Sequence, residues 1–251
     1  MDYPAGPAPK LPDRHGGALR VDAAKCTDGC ERCAEACPTQ AIGRGPDGKI
    51  SLDLGRCLFC AECVKACPPA AITQTGDHRM AAGRREDLRL GAAGAEEVRL
   101  AAALDRKLLK LFGRSLRLRQ VSAGGCNACE ADVNVLGTVG WDLGRFGIQF
   151  VASPRHADGL LITGPVTENM RLALKKTYAA VPAPKLVIAV GACAIAGGPF
   201  VGHAQQCNGA SAVVPVDLFI PGCPPHPLTI LDGLLRMLDR LEERGRGAAS
   251  P

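Results

Sequence analysis

The chain has 251 residues, of which 47% are hydrophobic and 4% aromatic, and its net charge is +5 at neutral pH. This composition supports one large or two modest folded domains and excludes a disordered chain. The longest uncharged stretch, 186–216, is interrupted by glycines and prolines, so no membrane-spanning helix is predicted. Residues 1–13 are rich in proline and lack the apolar core of a signal peptide. We therefore expect a cytoplasmic protein in which residues 1–20 form a flexible tail.

Cysteine is the most informative residue type, with 13 copies in the chain. The first eight form two runs, Cys26-x3-Cys30-x2-Cys33-x3-Cys37-Pro and Cys57-x2-Cys60-x2-Cys63-x3-Cys67-Pro. Three close thiolates, then a fourth followed by proline, are the ligand pattern of bacterial ferredoxins with two 4Fe–4S clusters. Zinc knuckles and disulfides are the alternatives, but neither needs a third close thiolate or a trailing proline. The pattern thus favours a domain that carries electrons.

The ferredoxin pattern predicts one domain over residues 21–76, because the fourth cysteine of each run binds the cluster of the other run. The first cluster is assigned to Cys26, Cys30, Cys33 and Cys67, and the second to Cys57, Cys60, Cys63 and Cys37. The gap after Cys26 is one residue longer than usual, which leaves its role as a ligand open. Within this domain, alternating apolar residues over 49–54 predict a strand.

Positive charge is concentrated in the middle of the chain. Residues 79–119 contain eleven Lys or Arg and five Asp or Glu, a difference of +6. We interpret residues 77–113 as a connector followed by a basic amphipathic helix over 96–112, because apolar residues recur there at helical spacing. Such a stretch suits anionic lipid, an acidic subunit or nucleic acid, or is simply a solvated surface. No recognition-helix pattern accompanies it, so nucleic acid is disfavoured.

The second half of the chain alternates short apolar segments with helical patterns. The apolar segments are 116–121, 148–151, 159–162, 185–190 and 213–220, and the main helical patterns are 169–180 and 228–241. Strands that alternate with helices predict a doubly wound α/β domain with a parallel sheet. We place this domain at residues 114–245 and a short tail at 246–251.

Four further cysteines directly follow predicted strands. Cys126 and Cys129 follow the first strand, Cys193 the fourth and Cys223 the fifth. Open α/β sheets bind ligands beyond the carboxyl ends of their strands, so these loops are expected to gather four thiolates for a further 4Fe–4S cluster. Ordinary buried thiols and a zinc site are the alternatives. Cys207 lies outside this arrangement and is interpreted as a structural thiol. Nearby glycines would let the backbone approach sulfur; they are Gly124, Gly125, Gly191 and Gly222.

Longer motifs around these cysteines resemble a known family. They are LFGRSL at 111–116, GCNACE at 125–130, RFGIQFVASPRHAD at 145–158, TGPVT at 163–167, GAC at 191–193 and IPGCPP at 220–225. Together they resemble the small subunit of membrane-associated nickel–iron hydrogenases, over about residues 108–240. The same superfamily contains the B subunit of respiratory NADH:quinone oxidoreductase. The two residues between Cys126 and Cys129 resemble the hydrogenase branch, such as formate hydrogenlyase, because the quinone-reducing relatives have adjacent cysteines.

The resemblance implies an electron-transfer subunit with three 4Fe–4S clusters and no catalytic centre of its own. The cluster at the sheet edge would be the one nearest to a nickel–iron site in a separate large subunit. Other implied partners are membrane-bound subunits, which would attach the chain peripherally to the cytoplasmic side of the membrane, and a soluble ferredoxin or a formate dehydrogenase module. No nucleic-acid partner is expected.

The resemblance also implies roles for three residues near that cluster. Glu130 would contribute to proton transfer or to holding the large subunit, although an acidic residue that opens a helix is also favoured by the helix dipole alone. Arg155 and His156 would lie close enough to the cluster to raise its potential, although loop residues of this kind are commonly solvated.

Two other functions stay open at this point. One is that of an iron–sulfur protein like the complex I B subunit, in a quinone oxidoreductase of the respiratory type. The other is a free-standing ferredoxin-like carrier or iron–sulfur regulator. The sequence has no Walker loop, no G-x-G-x-x-G and no G-x-S-x-G motif, so nucleotide binding and serine hydrolase chemistry have no support.

Overall fold

The chain folds into a small cysteine-rich domain followed by a larger α/β domain, which confirms the predicted fold class. The computed structural model describes residues 3–12, 14–27, 29–45, 48–91, 97–113 and 115–241. None of the helices within these ranges is long and apolar enough to cross a membrane.

The cysteine-rich domain consists of short antiparallel strands and two helices of one turn each. The strands are β1 (Leu19–Val21), β2 (Ile42–Arg44), β3 (Ile50–Asp53), β4 (Ile72–Gln74) and β5 (Arg89–Leu90). Strand β1 pairs with β4, and β3 lies between β2 and β5 in a second sheet. The helices α1 (Arg32–Glu35) and α2 (Glu62–Lys65) each carry one buried cysteine. The two cysteine runs therefore produce two similar halves.

The α/β domain contains a parallel sheet of five strands. They are β6 (Leu116–Ser122), β7 (Ile148–Phe150), β8 (Gly159–Thr163), β9 (Leu186–Val190) and β10 (Leu218–Ile220), in the spatial order β10-β9-β8-β6-β7. Counted from the first strand this is the flavodoxin-like order 2-1-3-4-5, whose switch point lies between β6 and β8. Every residue of β8 and β9 is buried, as expected for central strands covered on both faces.

Helices cover both faces of this sheet, and the helices of the second half are α4 (Ala128–Val135), α5 (Glu168–Ala180), α6 (Ala192–Ala196) and α7 (Pro227–Met237). Leu160 and Ile162 of β8 face a core shared with α5, α6 and the ferredoxin domain. Leu161 faces the other core, which α4 and α7 complete. The regularly spaced leucines of the last helical pattern are mostly core: Leu228, Leu231, Leu234, Leu235 and Leu238 are buried, whereas Leu241 lies beyond α7 and is partly buried.

The central basic segment differs from the prediction of one helix over 96–112. Among the described residues of this segment, 97–112, only α3 (Arg106–Phe112) is helical. The backbone N–H groups of Ala101 and Leu104 instead donate to carbonyl groups of the connector and of α7, at 2.8 and 3.0 Å. Asp105 then starts the helix by accepting two backbone N–H groups of its first turn. Hydrogen bonds to distant residues therefore override the helical spacing of the apolar residues. Residue 96, the first of the predicted helix, lies outside the described residues.

The connector holds the two domains together. Ala82 pairs with Phe219 of β10 in an antiparallel bridge. Arg85 forms a double hydrogen bond with the carboxylate of Asp53 at 2.7 and 2.8 Å. The apolar core of the ferredoxin domain is continuous with one core of the α/β domain. The ferredoxin domain is thus packed directly on the face of the sheet that carries α5 and α6.

The N-terminal segment, expected to be a flexible tail, is anchored by Tyr3 and His15, although none of residues 4–12 is buried. Tyr3 is only 8% exposed, and its hydroxyl donates to the buried carboxylate of Asp232 at 2.8 Å. The Tyr3 ring meets His78 edge-on with 5.7 Å between centroids, and His15 meets His226 at 5.2 Å. These contacts depend on residues more than 60 positions away, so local composition does not predict them.

We predict that acidic pH loosens this N-terminal segment. Burial lowers the pKa values of His15 and His78, and the nearby acids Asp77 and Asp232 offset only part of that effect on His78. A lowered folded-state pKa contributes stability above the unfolded pKa of about 6.5, and that contribution is lost as the pH falls below it. Hydrogen exchange of residues 3–12, corrected for its intrinsic pH dependence, should therefore accelerate on acidification from about pH 7.5 to about pH 5.5.

The matched variants of this experiment are His78→Asn and His203→Asn. His203 is exposed, so replacing it should leave the acid response unchanged, whereas His78→Asn should weaken that response. Equal protection of residues 3–12 at both pH values in the unmodified protein would contradict the prediction.

Candidate metal centres

The first cysteine group joins both runs of the ferredoxin domain. Burial raises the pKa of the Cys33 thiol, and the charges of Cys67 and Cys26 raise it further. Cys33, Cys67 and Cys26 therefore lie close together, although the gap between Cys26 and Cys30 is long. Cys30 lies in the intervening loop, and its carbonyl accepts a hydrogen bond from Arg44 at 2.7 Å.

The second group brings Cys37 to the other run. Burial raises the pKa of Cys57 to about 12, against a hydrogen bond from the backbone N–H of Phe59, and the charges of Cys63, Cys37 and Cys60 add to the increase. Burial together with Cys37 and Cys60 raises the pKa of Cys63 to about 11. The structure therefore places the fourth cysteine of each run beside the thiols of the other run.

Backbone N–H groups point at two of these sulfurs from equivalent positions. The N–H of Ala41 donates to Cys37 Sγ at 3.2 Å, and that of Ala71 donates to Cys67 Sγ at 3.3 Å. In both cases the preceding residue is left-handed, with φ of 52° and 53°, which turns the next N–H toward the sulfur. Such donors stabilise negative charge on a thiolate and raise the potential of a cluster bound to it.

The third group lies at the carboxyl ends of the parallel strands. Cys126 and Cys129 lie in the turn from β6 into α4, Cys193 lies in α6 after β9, and Cys223 follows β10. Cys126 and Cys223 are exposed, whereas Cys129 and Cys193 are partly buried. Three loops that are far apart in sequence thus supply four thiols to one edge of the sheet.

Electrostatic interactions indicate that these four thiols face one another. Burial raises the pKa of Cys129, and the charges of Cys193 and Cys223 raise it further. Burial, Cys223 and Cys126 raise the pKa of Cys193 to about 11. Burial and then Cys126 also raise the pKa of Cys223. Thiols that oppose each other's ionisation in this way become stable thiolates when a metal centre supplies positive charge between them.

A single metal ion is the alternative to a cluster at these donors. In the part of the chain that the structure describes, no three His, Cys, Asp or Glu side chains are grouped so that they could hold one metal ion. A tetrahedral zinc site needs its sulfurs about 2.3 Å from one atom. A cubane of four irons is larger and holds its four thiolates farther apart, so the two kinds of centre require different spacings of the sulfurs.

Two glycines leave room for the sulfurs of this third group. A Cβ atom on Gly191, whose φ is 91°, would lie 2.5 Å from Cys129 Sγ. A Cβ atom on Gly198 would lie 2.6 Å from Cys193 Sγ. The sequence-based expectation of close backbone approach therefore holds for Gly191, whereas Gly198 was not foreseen. The other three glycines face protein groups instead: Gly124 faces Thr167, Gly125 faces Gly164, and Gly222 faces Pro225.

Glu130 lies beneath this site and connects two strands. It is 5% exposed, and its Oε1 accepts hydrogen bonds from Ser122 Oγ at 2.6 Å and from Thr163 Oγ1 at 2.7 Å. Ser122 ends β6 and Thr163 ends β8, so the carboxylate joins the strands at the switch point. Burial alone would raise the pKa of Glu130, but these hydroxyl donors outweigh it and hold the pKa below its ordinary value. Glu130 is thus a buried, ionised group that joins the two strands; the sequence did not predict this contact, and the expected roles in proton transfer or subunit contact stay predictions.

The remaining predicted residues are not joined to the four thiols. Arg155 and His156 are exposed on a single 3-10 turn after β7, which is at the sheet edge opposite β10. Among the described residues neither side chain has a hydrogen bond or ion pair with a cysteine. Cys207 donates to Glu168 Oε1 at 3.3 Å and lies apart from the group.

Comparison with known proteins accounts for both halves of the chain. Residues 126–237 match the family described as NADH ubiquinone oxidoreductase, 20 Kd subunit, and residues 17–71 match the 4Fe-4S dicluster domain. The chain belongs to this 20 kDa subunit family and carries a dicluster ferredoxin domain at its N-terminal end. The resemblance inferred from the motifs is therefore confirmed.

Three curated relatives illustrate the range of this family. A probable membrane-bound hydrogenase subunit of Pyrococcus furiosus is 41% identical over 145 residues, which cover 58% of this chain and 87% of the relative. Formate hydrogenlyase subunit 7 of Escherichia coli is 43% identical over 57% of this chain and 56% of its own length. The B subunit of the NADH-quinone oxidoreductase of Clostridium beijerinckii is 42% identical over 47% of this chain and 70% of its own length.

Solved structures give weaker likenesses. A chain of an archaeal membrane-bound sulfane sulfur reductase has 33% identity and a TM-score of 0.46, covering 57% of this chain and 80% of that one. A chain of a NAD+-reducing [NiFe]-hydrogenase has 23% identity and a TM-score of 0.41, and the match covers 53% of this chain and 96% of that one. Both TM-scores are below 0.5, so these likenesses carry no weight for function.

We predict that Gly191→Ala abolishes metal binding at the third group alone. The added methyl group would overlap Cys129 Sγ, and the φ of 91° at this position is unfavourable for alanine as well. Iron bound per anaerobically purified chain should fall by about four atoms, the content of one cubane. Gly202→Ala is the matched control, since Gly202 also has a positive φ, 79°, but no atom within 4 Å of its would-be Cβ. Full iron content in Gly191→Ala would refute this account of the site.

Proposed function

We propose that this chain is the electron-transfer iron–sulfur subunit of a membrane-associated nickel–iron hydrogenase complex. The observation that carries the proposal is the group of four thiols at the carboxyl edge of the sheet, half of it exposed, in a chain that also contains a dicluster domain. Membership of the 20 kDa subunit family supports the proposal. So do relatives that are named as subunits of hydrogenase and formate hydrogenlyase.

Three 4Fe–4S clusters are part of this proposal. The first is assigned to Cys26, Cys30, Cys33 and Cys67, the second to Cys57, Cys60, Cys63 and Cys37, and the third to Cys126, Cys129, Cys193 and Cys223. Bound clusters of this type supply one-electron transfer. The protein supplies their thiolates, the N–H donors at Cys37 and Cys67 Sγ, and the glycine space beside Cys129 and Cys193.

The catalytic centre is assigned to a separate large subunit that covers the third site. Cys126 and Cys223 are exposed there, and the loop after Cys193 presents Phe200 at 52% and Val201 at 36% exposure. Exposed apolar side chains are unfavourable in an isolated protein, and a buried subunit interface would cover them together with the exposed cysteines. The partner expected here is a nickel–iron hydrogenase-like large subunit, since the assigned clusters use all the grouped cysteines of this chain.

An order of electron transfer among the three clusters is also proposed, and the packing of the two domains supports it. A Cβ atom on Gly55 would lie 2.8 Å from Cγ2 of Ile195. Gly55 precedes Cys57 by two residues, and Ile195 follows Cys193 by two residues. The second cluster is therefore the neighbour of the third, and the first cluster is the outer one. Electrons would pass between an external carrier, such as a ferredoxin or a formate dehydrogenase module, and the large subunit in that order.

The cytoplasmic side of the membrane is the proposed location, with attachment through membrane-bound subunits of the same complex. Helix α3 suits a surface of this kind because it carries Lys107 and Lys110 and exposes Leu111 by 58%. The position of this helix beside α7 puts it on the face of the sheet opposite the ferredoxin domain.

A second candidate function is that of the complex I-type B subunit in a quinone oxidoreductase. The family description and the Clostridium beijerinckii relative favour it. The spacing Cys126-x2-Cys129 favours the hydrogenase assignment instead. The two functions differ in the electron acceptor of the assembled complex, so hydrogen-dependent and quinone-dependent activities of that complex separate them.

We predict that hydrogen turnover requires the partner subunit and the third cluster. The purified chain alone should be inactive, whereas its complex with the large subunit should couple hydrogen to dye or ferredoxin reduction. Cys223→Ala in that complex should lower the coupled rate by a factor on the order of a hundred or more, because the path to the large subunit is broken. The nickel content should not change. Cys207→Ala is the matched control and should retain the rate. Hydrogen turnover by the single chain would contradict the proposal.

We further predict that the third cluster senses the second cluster and not the first. In the reduced protein, magnetic coupling should broaden the EPR signal of the third cluster. Cys60→Ser should remove that broadening because Cys60 belongs to the group next to α6. Cys30→Ser, the equivalent change in the first run, should leave the broadening unchanged. The reverse pattern would exclude the proposed order of transfer.

A further inference from the structure

A cavity of 1160 Å³ lies where the N-terminal segment meets the end of α7. Its walls come from the N-terminal segment, the start of the segment that leads to α3, the connector and the end of α7. No cysteine lines it among the residues that the structure describes. Its α7 wall belongs to the core on the opposite face of the sheet from the ferredoxin domain. The cavity therefore has no part in the proposed electron path.

The cavity is positively charged. Among the described residues, the charged side chains that line it are the arginines Arg79, Arg99, Arg236 and Arg240 and the acids Asp77 and Asp232. Four positive and two negative charges give a net charge of +2. A concave surface with a surplus of guanidinium groups favours an anion, and arginine binds phosphate oxygens with two N–H groups at once.

Neighbouring groups hold three of these arginines in place. Arg236 donates to Asp232, which is 1% exposed, at 3.2 and 3.4 Å. Arg79 donates to the carboxylate of Asp77 at 2.6 to 2.9 Å. Arg240 donates to two backbone carbonyls. A guanidinium has five N–H groups, so each of these side chains is oriented and still has donors left for a ligand.

The fourth arginine and the walls complete the site. Arg99 is exposed and forms no ion pair with another described residue, so its charge is available. The walls between the charged groups are apolar and include Pro4, Pro7, Leu100 and Leu241. The ligand that matches this lining has an anionic group and an apolar part. The volume supports this, because sites for drug-sized ligands span about 300 to 1000 Å³ and a free phosphate ion needs far less.

We propose that this cavity binds a phospholipid with an anionic headgroup. The arginines would hold the phosphate, and the proline and leucine walls would contact the glycerol and the first part of the acyl chains. Arg240 connects the cavity to α3, whose exposed surface is the one proposed above to face the membrane, because one of its carbonyl partners belongs to Gly113, the residue that ends α3. The exposed Leu111 and Lys110 of α3 are adjacent to this point. Lipid binding at this place is independent of the electron-transfer chemistry and adds a second function to the α/β domain.

The first test measures lipid bound to the full chain with its clusters. Vesicles of phosphatidylcholine mixed with phosphatidylglycerol should bind the protein, and native mass spectrometry should detect retained phosphatidylglycerol. Arg99→Gln should weaken binding by at least about tenfold, as expected for loss of a charge-assisted contact. Arg171→Gln is the matched control, because Arg171 is exposed on α5 across the sheet. Equal losses in both variants would reduce the effect to general surface charge and overturn the proposal.

A second variant tests the cavity without changing its charge. Ala102 is exposed on the cavity wall, so Ala102→Trp should fill space without disturbing the core. Retained phosphatidylglycerol should then fall at least about tenfold while all four arginines remain. In a parallel arm, inorganic phosphate is added to the unmodified protein. If phosphate displaces the lipid only at high phosphate concentration, the result supports a lipid site. Tight phosphate binding with no lipid retained, or full lipid retention in Ala102→Trp, would refute it.

Discussion

The candidate third site depends on one topological constraint, which is that parallel strands of a sheet end at the same edge. Strands β6, β9 and β10 therefore deliver Cys126, Cys193 and Cys223 to one place, although almost 100 residues separate the first and last of them. Cys129 joins them because α4 starts beside Cys126. The same constraint positions Ser122 and Thr163 to share the Glu130 carboxylate, so a single buried acid fixes the spacing of the two strands at the switch point.

A second constraint follows from the continuous core between the domains. A ferredoxin domain on a flexible linker would meet its electron acceptor only transiently. In this chain the Ala82–Phe219 bridge, the Arg85–Asp53 ion pair and the tight approach of Gly55 to Ile195 hold it in one position. The distance between the second and third cysteine groups is therefore set by the fold. The connector, which composition suggests is a simple linker, is one of the elements that sets it.

The sequence predicts the structure best where an element or a site is determined by local residue spacing or by the order of the strands. The existence of the five strands and most of the leucine stripe of α7 follow from the spacing of apolar residues, although the last strand, expected over 213–220, covers only Leu218–Ile220. The helix over 96–112 and the tail over 1–20 are predicted less well. There, Leu104 pairs with α7 and Tyr3 reaches Asp232, contacts made across more than 130 and more than 220 residues. The partners of Glu130 and the room beside Gly198 are likewise products of tertiary packing, which spacing does not encode.

The two proposed surfaces use different parts of the α/β domain, so they do not compete. The thiols face the carboxyl edge of the sheet, where Cys126 and Cys223 are open to a partner while Cys129 and Cys193 are partly buried. A partner over the outer pair would exclude water from that side and so influence the potential of the site. The arginine-lined cavity lies on the α7 face, next to α3. A catalytic subunit at the edge and a lipid on that face can therefore be bound at the same time, with the ferredoxin domain on the remaining face left accessible to an electron carrier.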